Sequence, residues 1–346
     1  MAEATEQQPT AAYILMPVRG TDEILLESSI NSIAKQDYEN IHLVICDDGN
    51  TSEYRNKLKN ILKETKLNGK YTIIPDESQP SETGNIAAAR NQLLSYIKDY
   101  AEDFDFIFQL DSDDCFNEIN FISKAVEEMQ KKQAKIGLVG FEYQSSNQEF
   151  LNELLKQRVD LERTKQETDK TVKELSRRPF EIDDFSKITT LGWTKVYSAE
   201  LYKKLESVEE NAKYEDFVYM YLFFLAEKNE IIGIPDIKIN FTKHQTSTTA
   251  TRTEKDCKDV INRLAEFKNK LVELNSDLKD EEKKAVVSFI KAKLDSYSSI
   301  FESTKMYKIV ECYKKLKSDF IEKLKKDDIF KTQATNIFKA QRSLGK

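Results

Sequence analysis

The sequence predicts an α/β fold: a mostly parallel mixed sheet between helices, followed by a helical C-terminal region. Three observations carry this. Short apolar runs alternate with segments of helical period from Ala12 through Asp114, which calls for a parallel sheet with crossover helices on both faces. Three of those runs end in turn or acidic residues, at Pro17, at Asp47-Asp48-Gly49 and at Asp111-Ser112-Asp113-Asp114. From Glu254 onward, Val260, Leu264, Phe267, Leu271, Leu274 and Leu278 recur in steps of four and three, the stripe of an amphipathic helix.

The elements follow in order. Residues 1–11 are polar and predicted disordered, with no basic start and apolar core of a secretory signal. Ala12–Met16 reads as a strand closed by the loop Pro17-Val18-Arg19-Gly20, and Ile24, Leu25, Ser28, Ile30 and Ile33 mark a helix up to Gln36. A strand over Ile41–Cys46 and a helix over Glu53–Lys66 follow, then a strand over Tyr71–Ile74. Gly84-Asn85 opens a helix with Ile86, Ala89, Leu93 and Leu94 on one face, and the next strand runs from Phe106 toward Asp111. A helix over Ile119–Met129 and a strand over Ile136–Phe141 come next. Residues 145–185 are polar with alternating charge, a helical insertion or a mobile loop. A helix over Ser198–Leu205, a buried helix over Val218–Leu225 and two closing strands, Ile231–Ile234 and Ile237–Phe241, complete the domain near His244. Beyond it, two further helices run through Val286, Ile290, Leu294 and Tyr297 and through Ile309, Tyr313, Leu316, Phe320 and Leu324. The expected domains are 12–253, with 145–185 as a variable insertion, and a helical subdomain over 254–346.

Composition narrows the function classes. The chain has 346 residues, 33% charged and 39% hydrophobic, and no apolar run of membrane-span length. Cys46, Cys115, Cys257 and Cys312 are far apart and lack metal-type spacing, so buried or incidental thiols in a reducing cytoplasm are the simplest account. Residues 303–346 hold 12 Lys/Arg against 5 Asp/Glu, a net charge of +7 in a chain of net charge −7. Those basic helices are either solvated faces, a dimerisation bundle or a dock for the inner face of an anionic membrane.

The chemistry centres on Phe106–Asp114. Five strand-forming residues run into three carboxylates within four positions. Such acids cannot be buried without a compensating positive charge. They are therefore either a solvated turn or an oxygen-rich cation site, and Mg²⁺ or Mn²⁺ bridging a substrate diphosphate suits the second. In open parallel sheets ligands bind beyond the carboxyl ends of the strands, so the three strand ends share one rim. There is no G-x-G-x-x-G after the first strand and no G-x-x-x-x-G-K-[ST] anywhere, which argues against dinucleotide and P-loop sites.

Taken together, Pro17, Asp47-Asp48-Gly49, Gly84 with Ala89-Arg90-Asn91, Asp111-Ser112-Asp113-Asp114, Trp193 with Lys195, Glu215-Asp216 and His244 resemble the family 2 glycosyltransferases of GT-A fold over residues 12–250. The resemblance implies an inverting transfer from a nucleotide diphosphate sugar, usually a UDP-sugar, to a hydroxyl acceptor on a bacterial surface glycan, a glycolipid or a glycoprotein. By that resemblance Asp113 and His244 are the ligands of Mn²⁺ or Mg²⁺, with Thr246, Ser247 and Arg252 near the phosphates. Pro17, Val18, Arg19 and Asp48 hold the base, and Asp111 and Ser112 contact the ribose or sugar. Asp47 braces its loop and Asp114 supports the site from behind. Arg90 contacts the nucleotide or forms an ion pair with Asp47 or Asp48.

The same resemblance makes Asp216 the general base, with Glu215 as the fallback. Trp193 is either an acceptor platform or a core anchor. Two departures stand out: Pro-Val-Arg-Gly replaces the Tyr-Asn pair of many relatives, and the Q-x-x-R-W motif of processive enzymes is absent. The competing readings are a catalytically inactive nucleotide-sugar-binding subunit and a nucleotidyltransferase. The latter lacks its phosphate-loop lysine here.

Overall fold

The computed structural model describes residues 9–67, 69–75, 85–208, 214–243, 253–274, 278–302 and 307–339. Along the chain lie β1 (Ala12–Val18), α1 (Glu23–Ala34), β2 (Ile41–Asp47), α2 (Ser52–Glu64), β3 (Tyr71–Ile74), α3 (Ile86–Tyr100), β4 (Phe106–Gln109), β5 (Cys115–Phe116), α4 (Phe121–Lys131) and β6 (Ile136–Gln144). Then come α5 (Gln148–Gln157), α6 (Val159–Leu175), β7 (Lys195–Ser198), α7 (Ala199–Tyr202), α8 (Leu222–Leu225) and β8 (Ile231–Thr242). Helices α9 (Glu254–Leu274), α10 (Asp280–Glu302), α11 (Tyr307–Lys326) and α12 (Lys331–Lys339) close the chain. No helix among the described residues is long and apolar enough to cross a membrane.

The strands form one sheet in the order β3-β2-β1-β4-β7-β6-β8-β5. The first four are parallel, and β7 joins β4 and β6 antiparallel, as does β5 to β8. The sheet is thus the expected mostly parallel one, made mixed on its second side. Its core is apolar on both faces, as parallel strands between helices require: Ile14, Met16, Leu43, Ile45, Ile107 and Phe108 are buried. Phe116 and Phe121 stack there with ring centroids 4.5 Å apart, and Phe108 meets both edge-on. Asn85 caps α3 by accepting from the Ala87 N–H at 2.8 Å, and Ala87, Ala88 and Ala89 let its first turn lie close to the sheet.

Several boundaries differ from the sequence reading, each for a visible reason. Strand β1 continues through Pro17, which stands opposite Cys46 of β2. Asp48 N–H donates to the Val18 carbonyl on the β2 side, so Pro17 faces the β4 side, where pairing ends at Leu15 and Gln109. The missing N–H therefore costs no ladder bond. Strand β4 stops at Gln109; Leu110 donates to the Leu15 carbonyl, and a turn with Asp114 N–H bonded to the Asp111 carbonyl follows. The helix expected over Ser198–Leu205 is the one-turn α7, capped by Ser198, and that residue ends a strand, β7, that the periodicity did not predict. The helix expected over Val218–Leu225 is a 3-10 helix over Glu215–Tyr221 that passes into the short α8. The two closing strands are a single strand, β8, with Pro235 and Asp236 exposed at its middle.

The chain divides into two compact units. The first comprises residues 1–142, 191–211 and 230–242 and holds nearly all of the sheet; the second comprises 143–190, 212–229 and 243–346. In the second, the 3-10 helix Ile182–Lys187 carries Phe185, completely buried among Phe223, Phe224, Phe267 and Phe289. Asp184 locks that turn. Burial alone pushes its carboxyl up, but the Arg178 fork at 2.6 and 2.8 Å, the Glu181 N–H and Lys187 outweigh this and hold it well below the usual range.

A pH effect follows from the first unit. His42 Nε2 lies 2.9 Å from Thr72 Oγ1 and 3.2 Å from the Tyr96 hydroxyl, and burial lowers its pKa below the ordinary 6.5. The unfolded chain therefore binds the proton more readily than the folded one. His42 contributes stability that is present above about pH 6.5 and is lost as pH falls below it. Melting temperature should drop between about pH 7 and pH 5, and less steeply in a His42→Gln protein. Equal slopes in the two proteins would remove His42 as the cause.

Candidate active site

The carboxyl ends of β1, β2 and β4, with the N-terminus of α3, form one cross-linked rim in the first unit. Gly49 (φ 75°) takes the left-handed conformation that glycine adopts without strain, turning the chain directly after Asp48. Asp47 is completely buried: its Oδ1 accepts from the Asn50 backbone N–H at 3.1 Å and from Asn50 Nδ2 at 2.8 Å, and its Oδ2 accepts from Arg55. The expected bracing role of Asp47 is therefore visible in its contacts. Asp48, 1% exposed, accepts from the Asn85 backbone N–H through Oδ1 at 2.7 Å, tying β2 to the cap of α3.

The acidic turn sits beside these loops. Arg90, on the buried face of α3, reaches Asp111 Oδ1 at 3.4 Å. Ser112 is buried, its hydroxyl 2.5 Å from that of Thr21 in the loop after β1. Asp113 is half-exposed, whereas Asp114 turns inward and accepts from the Thr242 N–H of β8 at 2.8 Å. One turn thus leaves two carboxylates half-exposed, Asp111 and Asp113, and anchors itself by the third. Pro17 and Val18 are buried in the strand and Arg19 is exposed on the loop.

Other predicted residues have different placements. Trp193 is 3% exposed, its ring centroid 4.7 Å from Phe241 and 5.3 Å from Phe141. This is the core-anchor alternative: an indole covered by two aromatic rings on the sheet has little face left for an acceptor sugar. Neighbouring Lys195 is also buried and donates to the Leu191 carbonyl at 2.7 Å. Glu215 and Asp216 belong to the second unit, where they begin a 3-10 helix, and Asp216 is half-exposed. Tyr214, just before them, is held at φ 66° with its ring edge-on to Tyr297. His244, Thr246, Ser247 and Arg252 lie outside the described residues. Among those described, no group of three His, Cys, Asp or Glu is arranged to hold a metal ion. Sequence reading missed Asn50, whose only signal is an asparagine beside the D-D-G turn, and read Asn85 only as the opening of a helix.

A sheet with a 3-2-1-4 parallel half, a second side made mixed by β7 and β5, and an acidic turn after its fourth strand is a GT-A fold. Residues 13–191, more than half of the chain, match Glycosyl transferase family 2, and the chain belongs to that family. Among solved structures it is similar to S. aureus TarS 1-349 in complex with UDP-GlcNAc, at 16% identity over 90% of this chain and 81% of that one, with a TM-score of 0.64. S. aureus TarS itself aligns at 13% identity over 89% of this chain and 55% of that one, with a TM-score of 0.50. At these identities the likeness is one of fold. Among curated proteins, none matches the chain.

Proposed function

We propose that the chain is a metal-dependent, inverting glycosyltransferase that moves a sugar from a UDP-sugar to a hydroxyl group on a glycan, glycolipid or glycoprotein. One observation carries this reading: a half-exposed pair, Asp111 and Asp113, stands on the same rim as the loops ending β1 and β2. In this reading Pro17, Val18, Arg19 and Asp48 hold the base, Arg90 contacts the nucleotide, Asp111 contacts the ribose or the sugar, and Ser112 completes the donor-binding set. The TarS fragment that binds UDP-GlcNAc supports a uridine nucleotide as donor.

The donor set fits Mn²⁺ or Mg²⁺. A half-exposed carboxylate at a braced turn offers hard oxygen, and such ions take one or two protein carboxylates and complete their shell with phosphate and water. Asp113 would hold the ion, with His244 as the second ligand by family resemblance. When bound, such an ion offsets the negative charge that develops on the departing diphosphate. Asp216 accepts the proton of the acceptor hydroxyl as that oxygen attacks the anomeric carbon from the side opposite the diphosphate, which inverts the centre. Glu215 is the alternative carboxylate.

The test is thermal stability with UDP, with and without Mn²⁺. A ligand at a hundred times its Kd stabilises the native state by about 2.7 kcal/mol. The wild-type protein should melt higher with UDP and higher still with Mn²⁺ added. Asp113→Asn should lose the increment due to Mn²⁺, and a variant that kept it would exclude Asp113 as a ligand. Release of UDP from a panel of UDP-sugars separates this enzyme from an inactive donor-binding subunit, which would bind UDP without turning over any of them.

A further inference from the structure

We infer that Asn50 is a positioning residue for donor binding, a side chain that clasps the β1 loop to the β2 loop. The inference rests on the reading of the rim as the nucleotide site. Strands β1 and β2 pair through Val18 and Asp47, and beyond that pair the two chains part into separate loops. From there the amide of Asn50 takes over the work of the sheet. Its Nδ2 donates to the Val18 carbonyl at 2.7 Å, and its Oδ1 accepts from the Gly20 N–H, also at 2.7 Å. Those two groups flank Arg19, so both ends of the Arg19 peptide are held by one side chain.

The other side of the clasp is equally determined. The second Nδ2 hydrogen goes to Asp47 Oδ1 at 2.8 Å, and that oxygen also receives the Asn50 backbone N–H. Asp47 is in turn fixed by Arg55 of α2. Tyr54, from the same helix, donates its hydroxyl to the Thr21 carbonyl at 2.8 Å, so α2 pins the β1 loop a second time. Asn50 uses both amide hydrogens and its carbonyl oxygen on three partners.

Only a side chain with two donors and one acceptor satisfies this set. Aspartate, of the same shape, would set an acceptor against the Val18 carbonyl and a second charge against Asp47. The clasp touches none of the atoms that would react. It acts through the loop that carries Arg19 and through Asp48, two residues before it, whose carboxylate accepts from the N–H of Asn85, the cap of α3. Its loss therefore loosens the groups read as holding the base and leaves the acidic turn in place.

The experiment compares UDP affinity and donor kinetics of wild-type, Asn50→Ala, Asn50→Ser and Asn50→Asp proteins. Loss of these bonds should weaken UDP binding and raise the donor KM about tenfold, with kcat within about twofold of wild type. Asn50→Asp adds a readout that a merely structural role would not move. A protonated aspartic acid regains one donor, so its UDP affinity relative to wild type should recover as pH is lowered, while that of Asn50→Ala should not. If the alanine protein does not fold, the serine and aspartate proteins carry the test by the same criteria. Wild-type UDP affinity in a folded Asn50→Ala or Asn50→Ser protein, or an Asn50→Asp deficit independent of pH, would overturn the inference. Failure of the wild-type protein to bind UDP would instead sink the reading of the rim, a separate and recognisable result.

Discussion

Asp216→Asn should lower sugar transfer by about 10² to 10⁴-fold while leaving UDP affinity unchanged, the range expected when a positioned general base is removed. Asparagine preserves the shape and hydrogen-bonding reach of aspartate but accepts no proton at neutral pH. Asp216 is half-exposed at the start of a 3-10 helix, so the substitution creates neither a cavity nor a buried unpaired charge. The residue two positions before Asp216 adds an independent reason to look here. Tyr214 holds a left-handed conformation, which costs a non-glycine residue on the order of 1–3 kcal/mol and concentrates at functional sites. The measurement is UDP release, with acceptor, from whichever UDP-sugar the panel identifies, beside a UDP titration of the same protein. Undiminished kcat would exclude Asp216 as the base. Glu215→Gln would then be measured next, because adjacent acids at a helix start point in different directions and only one should reach the acceptor oxygen.

How much of this was legible in the sequence depends on how local each cause is. The parallel half of the sheet could be read from Ala12 to Asp114, because each strand there is an apolar run bounded by its own turn. Asp47, Asp48 and Asp111–Asp114 stood out because acids after apolar runs break a local pattern. Strand β7 did not: Lys195-Val196-Tyr197-Ser198 is four residues long with a buried lysine, and its partners β4 and β6 are distant in sequence. Trp193 posed a different problem, since an indole suits a core and a sugar platform equally well. Only the positions of Phe141 and Phe241 distinguish the two. The clasp at Asn50 escaped because a hydrogen-bond inventory is a property of assembled loops. The stretch 145–185 looked polar because its three phenylalanines, Phe150, Phe180 and Phe185, are sparse within it, and the last two proved to be buried.

Phe185→Ala should destabilise the second unit by about 3–5 kcal/mol, the usual cost of deleting a fully buried phenylalanine. Phe185 is 0% exposed, and its ring centroid lies 4.6 Å from that of Phe224, 4.7 Å from Phe289, 6.0 Å from Phe267 and 6.1 Å from Phe223. Those four rings come from α8, α9 and α10, so a single side chain from a six-residue 3-10 helix joins three helices. The hole cannot close easily, because the turn behind it is held by the Asp184–Arg178 fork and by Lys187. Two compact units need not melt together, so the comparison is the position of each calorimetric transition rather than one fitted stability. Tyr307→Ala provides the control: Tyr307 is 78% exposed on α11, and its removal should stay within about 0.5 kcal/mol of wild type. If Phe185→Ala melted no earlier than that control, the aromatic cluster would not be what holds these helices. The packing around the 3-10 helix would then need another source, for which the Asp184 fork is the next residue set to remove.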